Sequence, residues 1–208
     1  MKLFIPGSLC TILFFLFANT LIAQKQEALQ KENDDFFAKS FYMHCMNNMM
    51  DSMDQQASTL SPDIDFLKQM IAHHKGAIEM AKYEMVHGTN SNMIQLAKSI
   101  FYEQSSEVNM MNLWLKKSLT KSSSVPENFK AAMSASMSKM MNDIMKDTIN
   151  AGEDKIFAAI MIPHHDAAID MAKVMLAYSS DTQIIAYSKQ LISNEQIEVE
   201  RMLAFIKK

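Results

Sequence analysis

The segment MIAHHKGAIEMA, Met70 to Ala81, sets two adjacent histidines among methionines, alanines and isoleucines. MIPHHDAAIDMA, Met161 to Ala172, repeats the pattern at an offset of 91 residues, from His73 to His164. On a helix, positions three, four and seven apart share a face. Met70, His73, His74, Ala77 and Met80 therefore form one stripe. Met161, His164, His165, Ala168 and Met171 form its counterpart. Imidazole and thioether together suit a borderline-to-soft ion such as copper. Adjacent histidines diverge by about 100° around a helix, so one ion need not take both. The alternative is a set of core histidines hydrogen-bonded to Glu107 and Glu198 across a bundle. On the metal reading the same glutamates stand behind the ligands or supply oxygen.

YMHCMNNMMDSMD holds a second group. Met43, Met46, Met50 and Met53 share a face, with His44, Cys45 and Met49 beside it. The second half offers Met133, Met137, Met140, Met141 and Met145, without His or Cys. Two readings stay open. Met43, His44, Cys45, Met46, Met49 and Met50 form a second metal cluster that captures Cu(I), or the face packs on the rest of the fold. The count of 21 methionines in 208 residues serves either reading.

The elements that position these residues are helices. Residues 41–117 align with 132–208 without a gap, and the matches include Met46 with Met137, Phe66 with Phe157 and Glu107 with Glu198. Such a register argues for duplication of a three-helix unit. Glycine occurs four times, and strand-like alternation is absent. Ser61, Pro62 and Asp63 make a helix start. The spacing predicts helices over about 26–57, 61–87 and 91–118, with Gly88 ending the second. It predicts a second set near 127–149, 153–178 and 181–207. Pro163 stands where the first histidine helix has Ala72, and should kink its helix. The expected fold class is all-α. Helices two and three of each unit form an antiparallel four-helix bundle, with two methionine-rich helices packed on it.

Residues 1–23 read as a signal peptide, with Lys2 ahead of the apolar run CTILFFLFANTLIA. A retained anchor and a lipid-attached Cys10 are the alternatives. Residues 24–119 are the first helical repeat, 120–126 the linker, and 127–208 the second repeat. The leader points to a periplasmic or secreted protein with no membrane span after its removal. A net charge of −3 without basic blocks argues against nucleic acid. Cys45 alone survives processing, so no internal disulfide is expected. No P-loop, dinucleotide glycine pattern or nucleophile elbow is present, and an enzyme is not expected.

DFLKQMIAHHKGAIEMA and the later EQSSEVNMMNLWL resemble the domain-of-unknown-function family 305 (DUF305). Asp65, Phe66, Met70, His73, His74, Ala77, Ile78, Met80 and Ala81 match its mark. Phe157, Met161, His164, His165, Ala168, Ile169, Met171 and Ala172 match it again, with Ile156 in place of the aspartate. The resemblance implies a ferritin-like helical bundle. Through the CopM-like members it also implies copper handling in the periplasm or outside the cell. The expected function is a metal binder for copper, as Cu(I) or Cu(II), or for silver, serving resistance or trafficking with a metal-exchange partner protein. A metal-free helical interaction module is the alternative. A di-iron oxidase needs a Glu-x-x-His on each of two helices. Glu84 and His87 supply one, but their counterparts are Met175 and Tyr178.

Overall fold

A computed structural model describes residues 7–56, 58–59, 61–117, 125–146 and 152–207, without side chains for 7–18 and 145–146. Lys2, the Cys10 and Met145 side chains and linker residues 120–124 lie outside that description. The described chain is all-α, with no strand. Its helices are α1 (Gly7–Asp54), α2 (Pro62–His87), α3 (Ser91–Lys117), α4 (Glu127–Lys146), α5 (Glu153–Tyr178) and α6 (Thr182–Ile206).

Five helices lie within a few residues of their expected bounds. The first does not, because α1 already begins at Gly7. No glycine or proline interrupts residues 8–54, so nothing in the chain stops the helix near residue 23. Residues 19–34 of α1 are exposed. No helix among the described residues is long and apolar enough to cross a membrane.

The short α2–α3 and α5–α6 links make two helical hairpins, which meet along α2 and α5. The lower half of α1 packs on α2 and α5, and α4 packs on α5. Phe66, Met70, Leu96, Met111, Phe157 and Met161 are sealed in the core. Burying each such side chain contributes about 1.5–3 kcal/mol.

Ser61 is extended and Pro62 opens α2, but the Ser61 hydroxyl makes no cap bond. The Asp65 carboxylate takes over, accepting from the Thr59 amide at 2.7 Å and the Ser58 hydroxyl at 2.9 Å. It thereby ties the α1–α2 link to the helix. Gly88 ends α2 with φ −59°, an ordinary value. Its role is space, since a Cβ there would lie 2.6 Å from the Glu84 carbonyl oxygen. Across Pro163, α5 runs unbroken.

Gly76 is a second close approach. A Cβ there would lie 3.0 Å from the Met49 sulfur and 3.1 Å from its Cβ. The first contact could move aside; the second is fixed to α1. Alanine favours a helix by about 1 kcal/mol over glycine, while overpacking costs about 1–3 kcal/mol. Gly76→Ala is therefore expected to lower stability by about 1 kcal/mol in urea unfolding. A rise in stability would mean that α1 is free to shift.

Candidate metal centre

All four paired histidines are fully buried, as are Met70, Met80, Met161 and Met171. His73 of α2 and His164 of α5 meet where the hairpins cross. Their ring centroids are 3.8 Å apart and their planes 36° from parallel. Neither ring has a well-formed hydrogen bond on either nitrogen among the described residues, although the His73 backbone carbonyl lies near enough to the His164 ring to favour its protonated form slightly. Burial, and then the neighbouring histidines, hold both pKa values well below the ordinary imidazole range. Both rings are neutral at pH 7, so each offers a lone pair.

His74 and His165 turn the other way, about a quarter-turn around their helices. His74 Nε2 lies 2.8 Å from Glu107 Oε2 and 3.0 Å from the Tyr187 hydroxyl. That hydroxyl also donates to Glu107 at 3.1 Å. His165 Nε2 lies 2.8 Å from Glu198 Oε2. The same contact thus recurs at the 91-residue offset. Burial disfavours charge on His165, but Glu195 and Glu198 outweigh it and raise its pKa. The Nδ1 atoms of His74 and His165 have no partner among the described residues.

Three neighbours escaped the sequence reading. Gln104 donates to Glu195 at 3.1 Å, joining α3 to α6 inside the bundle. Burial pushes the Glu195 carboxyl up to about 8, against the pull of His165. The signal was available, because Gln104 and Glu195 also stand 91 residues apart and one turn before Glu107 and Glu198. Tyr187 had none, since its counterpart is Leu96.

The α1 cluster is divided among different surroundings. Met46 and Met49 are buried, Cys45 is nearly so, and Met43 and Met50 are half-buried. His44 is exposed, with Asn48 at 3.0 Å. Cys45 and Met49 line a cleft against Ala72 and Gly76 of α2. Burial, then Glu79, pushes the Cys45 thiol up to about 11. It is a thiol rather than a thiolate at neutral pH. Glu84 and His87 do not converge, because Glu84 is sealed in the bundle while exposed His87 stacks on Tyr83 at 4.1 Å.

Among the described residues, no three His, Cys, Asp or Glu side chains form a group that could hold a metal ion. A centre built on the histidines therefore needs thioether donors or a turn of the rings. The orphaned nitrogens and the sealed methionines fit a soft or borderline ion in donor type.

Glu84 carries a pH dependence of its own. The Tyr42 hydroxyl donates to it at 3.1 Å. Burial, then the Asp154 carboxylate, pushes its pKa up to about 8. The folded protein thus keeps the neutral acid. A raised folded pKa contributes stability that is complete below the unfolded value, about 4.3, and is lost as pH rises through the folded one. Glu84 alone is expected to lower the unfolding free energy by a few kcal/mol between about pH 4.5 and 8, adding at most about 1.4 kcal/mol per pH unit to the slope, beside a contribution of the same sign from Glu195. Glu84→Gln should flatten that slope, and an unchanged slope would place its origin elsewhere.

Residues 17–115 and 63–206 match the model of the family described as "Domain of unknown function (DUF305)". No curated protein matches the chain. Two solved structures are similar. One is CopM in a silver-bound form obtained by soaking, at 23% identity and TM-score 0.54, covering 70% of this chain and 94% of that one. The other is a DUF305 fragment from Deinococcus radiodurans, at 17% identity and TM-score 0.53, covering 73% and 99%. At these identities the likeness concerns the fold.

Proposed function

This chain belongs to the DUF305 family, and on that premise we propose that it is a copper-binding protein of the periplasm or cell exterior. It serves metal resistance or trafficking, and passes its ion to a partner protein. Residues 1–23 direct its export.

One observation supports the reading above all: two sealed imidazoles, His73 and His164, face each other with no well-formed hydrogen bond on their ring nitrogens among the described residues. Leaving a buried polar group unpaired costs about 1–3 kcal/mol. An ion bound to the lone-pair nitrogen of each neutral ring repays that part of the cost, the other nitrogen keeping its proton. His73 and His164 supply nitrogen, with Met70, Met80, Met161 and Met171 as the thioether donors nearest along their helices. His74 and His165 offer Nδ1, while Glu107 and Glu198 hold their rings in orientation. Imidazole serves Cu(II) and thioether serves Cu(I), so a mixed set tolerates both states. The fold likeness to CopM, described in a silver-bound form, supports the reading by analogy, since Ag(I) is soft like Cu(I).

The test is a titration with Cu(I) under a competing chelator, and with Cu(II), of the parent and of His73→Leu/His164→Leu. Tight binding lost in the variant, with helicity intact, is the expected result. No binding to the parent beyond a nonspecific control would leave the metal-free interaction module. The exposed Phe36 and Phe37 on α1 favour that second reading.

A further inference from the structure

The methionines of α1 and α4 face one another across a single opening. Met50 and Met53 of α1 and Met133, Met137 and Met141 of α4 line a cleft of about 600 Å³. The last three are spaced four apart and so form one stripe along α4. Met50 and Met141 are half-buried; Met53, Met133 and Met137 are almost covered. Asp54, Asp65, Lys68 and Lys130 also border the cleft, and no histidine or cysteine reaches it.

Met53, Met133 and Met137 belong to the buried core, but packing alone does not account for the cleft left between the two helices. Protein interiors are close-packed, and here five flexible methionine side chains border an open cleft. Sulfur donors without nitrogen or thiolate select Cu(I) and its analogue Ag(I) over Cu(II) and Zn(II). We infer that this cleft is a second metal site, all thioether, for a monovalent soft ion, completed by residues from both halves of the chain. The inference rests on the soft-metal reading of the protein but not on the histidines, which lie in the bundle instead. The α1 residues grouped by sequence as one cluster are thereby separated. Met50 belongs to this cleft, with Met53 and the α4 methionines, while Cys45 and Met49 face α2.

The experiment counts Ag(I) bound to the full chain by equilibrium dialysis in chloride-free buffer. Every sample carries Cys45→Ala to remove the competing thiol. The cleft variant is Met53→Leu/Met133→Leu/Met137→Leu, in which volume is nearly conserved. The second variant is His73→Leu/His164→Leu. The cleft variant should bind one equivalent fewer than its parent, and the histidine variant should keep that equivalent. In the same parent, labelled with ¹³C at the methionine methyls, sub-stoichiometric Ag(I) should shift the Met50, Met53, Met133, Met137 and Met141 signals. This reading needs no cleft substitution. An unchanged stoichiometry in the cleft variant, or silent cleft methyls, overturns the second site and leaves the histidine centre standing. Absence of binding in the parent overturns both.

Discussion

Replacing His73 and His164 together by leucine is expected to leave the metal-free protein at least as stable as the parent, and to abolish its stabilisation by metal. The two imidazoles are sealed, and none of their four ring nitrogens has a well-formed hydrogen bond among the described residues. Each unpaired buried polar group costs about 1–3 kcal/mol. Leucine removes that cost at similar volume, though imperfect repacking takes back up to about 1.5 kcal/mol. The expected net gain in the metal-free state is about 1–3 kcal/mol. The parent recovers the difference only when loaded, since a ligand at a thousand times its dissociation constant stabilises by about 4 kcal/mol. Thermal unfolding with and without Ag(I) reads both effects. A variant several kcal/mol less stable in the absence of metal would show that the rings are paired as they stand, and that their role is structural.

The outer histidines should behave in the opposite sense, and unequally. His165→Leu removes the partner of Glu198, whose side chain is only 9% exposed. Leaving one member of a buried pair alone costs about 3–5 kcal/mol. His74→Leu should cost about half as much. Glu107 is 18% exposed and keeps the Tyr187 hydroxyl at 3.1 Å. The pH dependence has a definite sign. Because His165 has a raised folded pKa, its contribution is complete below about pH 6.5 and is lost as pH rises through the folded value. The gap between parent and His165→Leu is therefore widest in mild acid. Urea unfolding at about pH 5.5 and about pH 8.5, on either side of the ordinary imidazole range, measures it. Equal losses for the two variants, or a gap that widens with pH, would refute this assignment of charge.

The helices and their spacing were readable because helix periodicity, the Ser61–Pro62 start and the 91-residue register are local signals. Pairing of His74 with Glu107 and of His165 with Glu198 was readable too, since each hairpin brings them together within one half of the chain. The meeting of His73 with His164 was not. Adjacent histidines diverge around a helix, and which one meets its twin depends on how two hairpins cross. The methionine cleft was hidden for the same reason, because its lining comes from α1 and α4, far apart in sequence. The start of α1 was misread because the apolar run at its beginning propagates a helix when no glycine or proline interrupts it. Asp65 showed as part of a motif, but its hold on Thr59 and Ser58 belongs to the turn before α2.

The most direct test is an anomalous difference map, measured at the copper edge, from crystals of the full chain loaded with copper. The account predicts a peak inside the bundle, bonded to one nitrogen each of His73 and His164, with the rings turned from the face-to-face arrangement. Peaks confined to other places, with His73 and His164 still stacked and unligated, would contradict it.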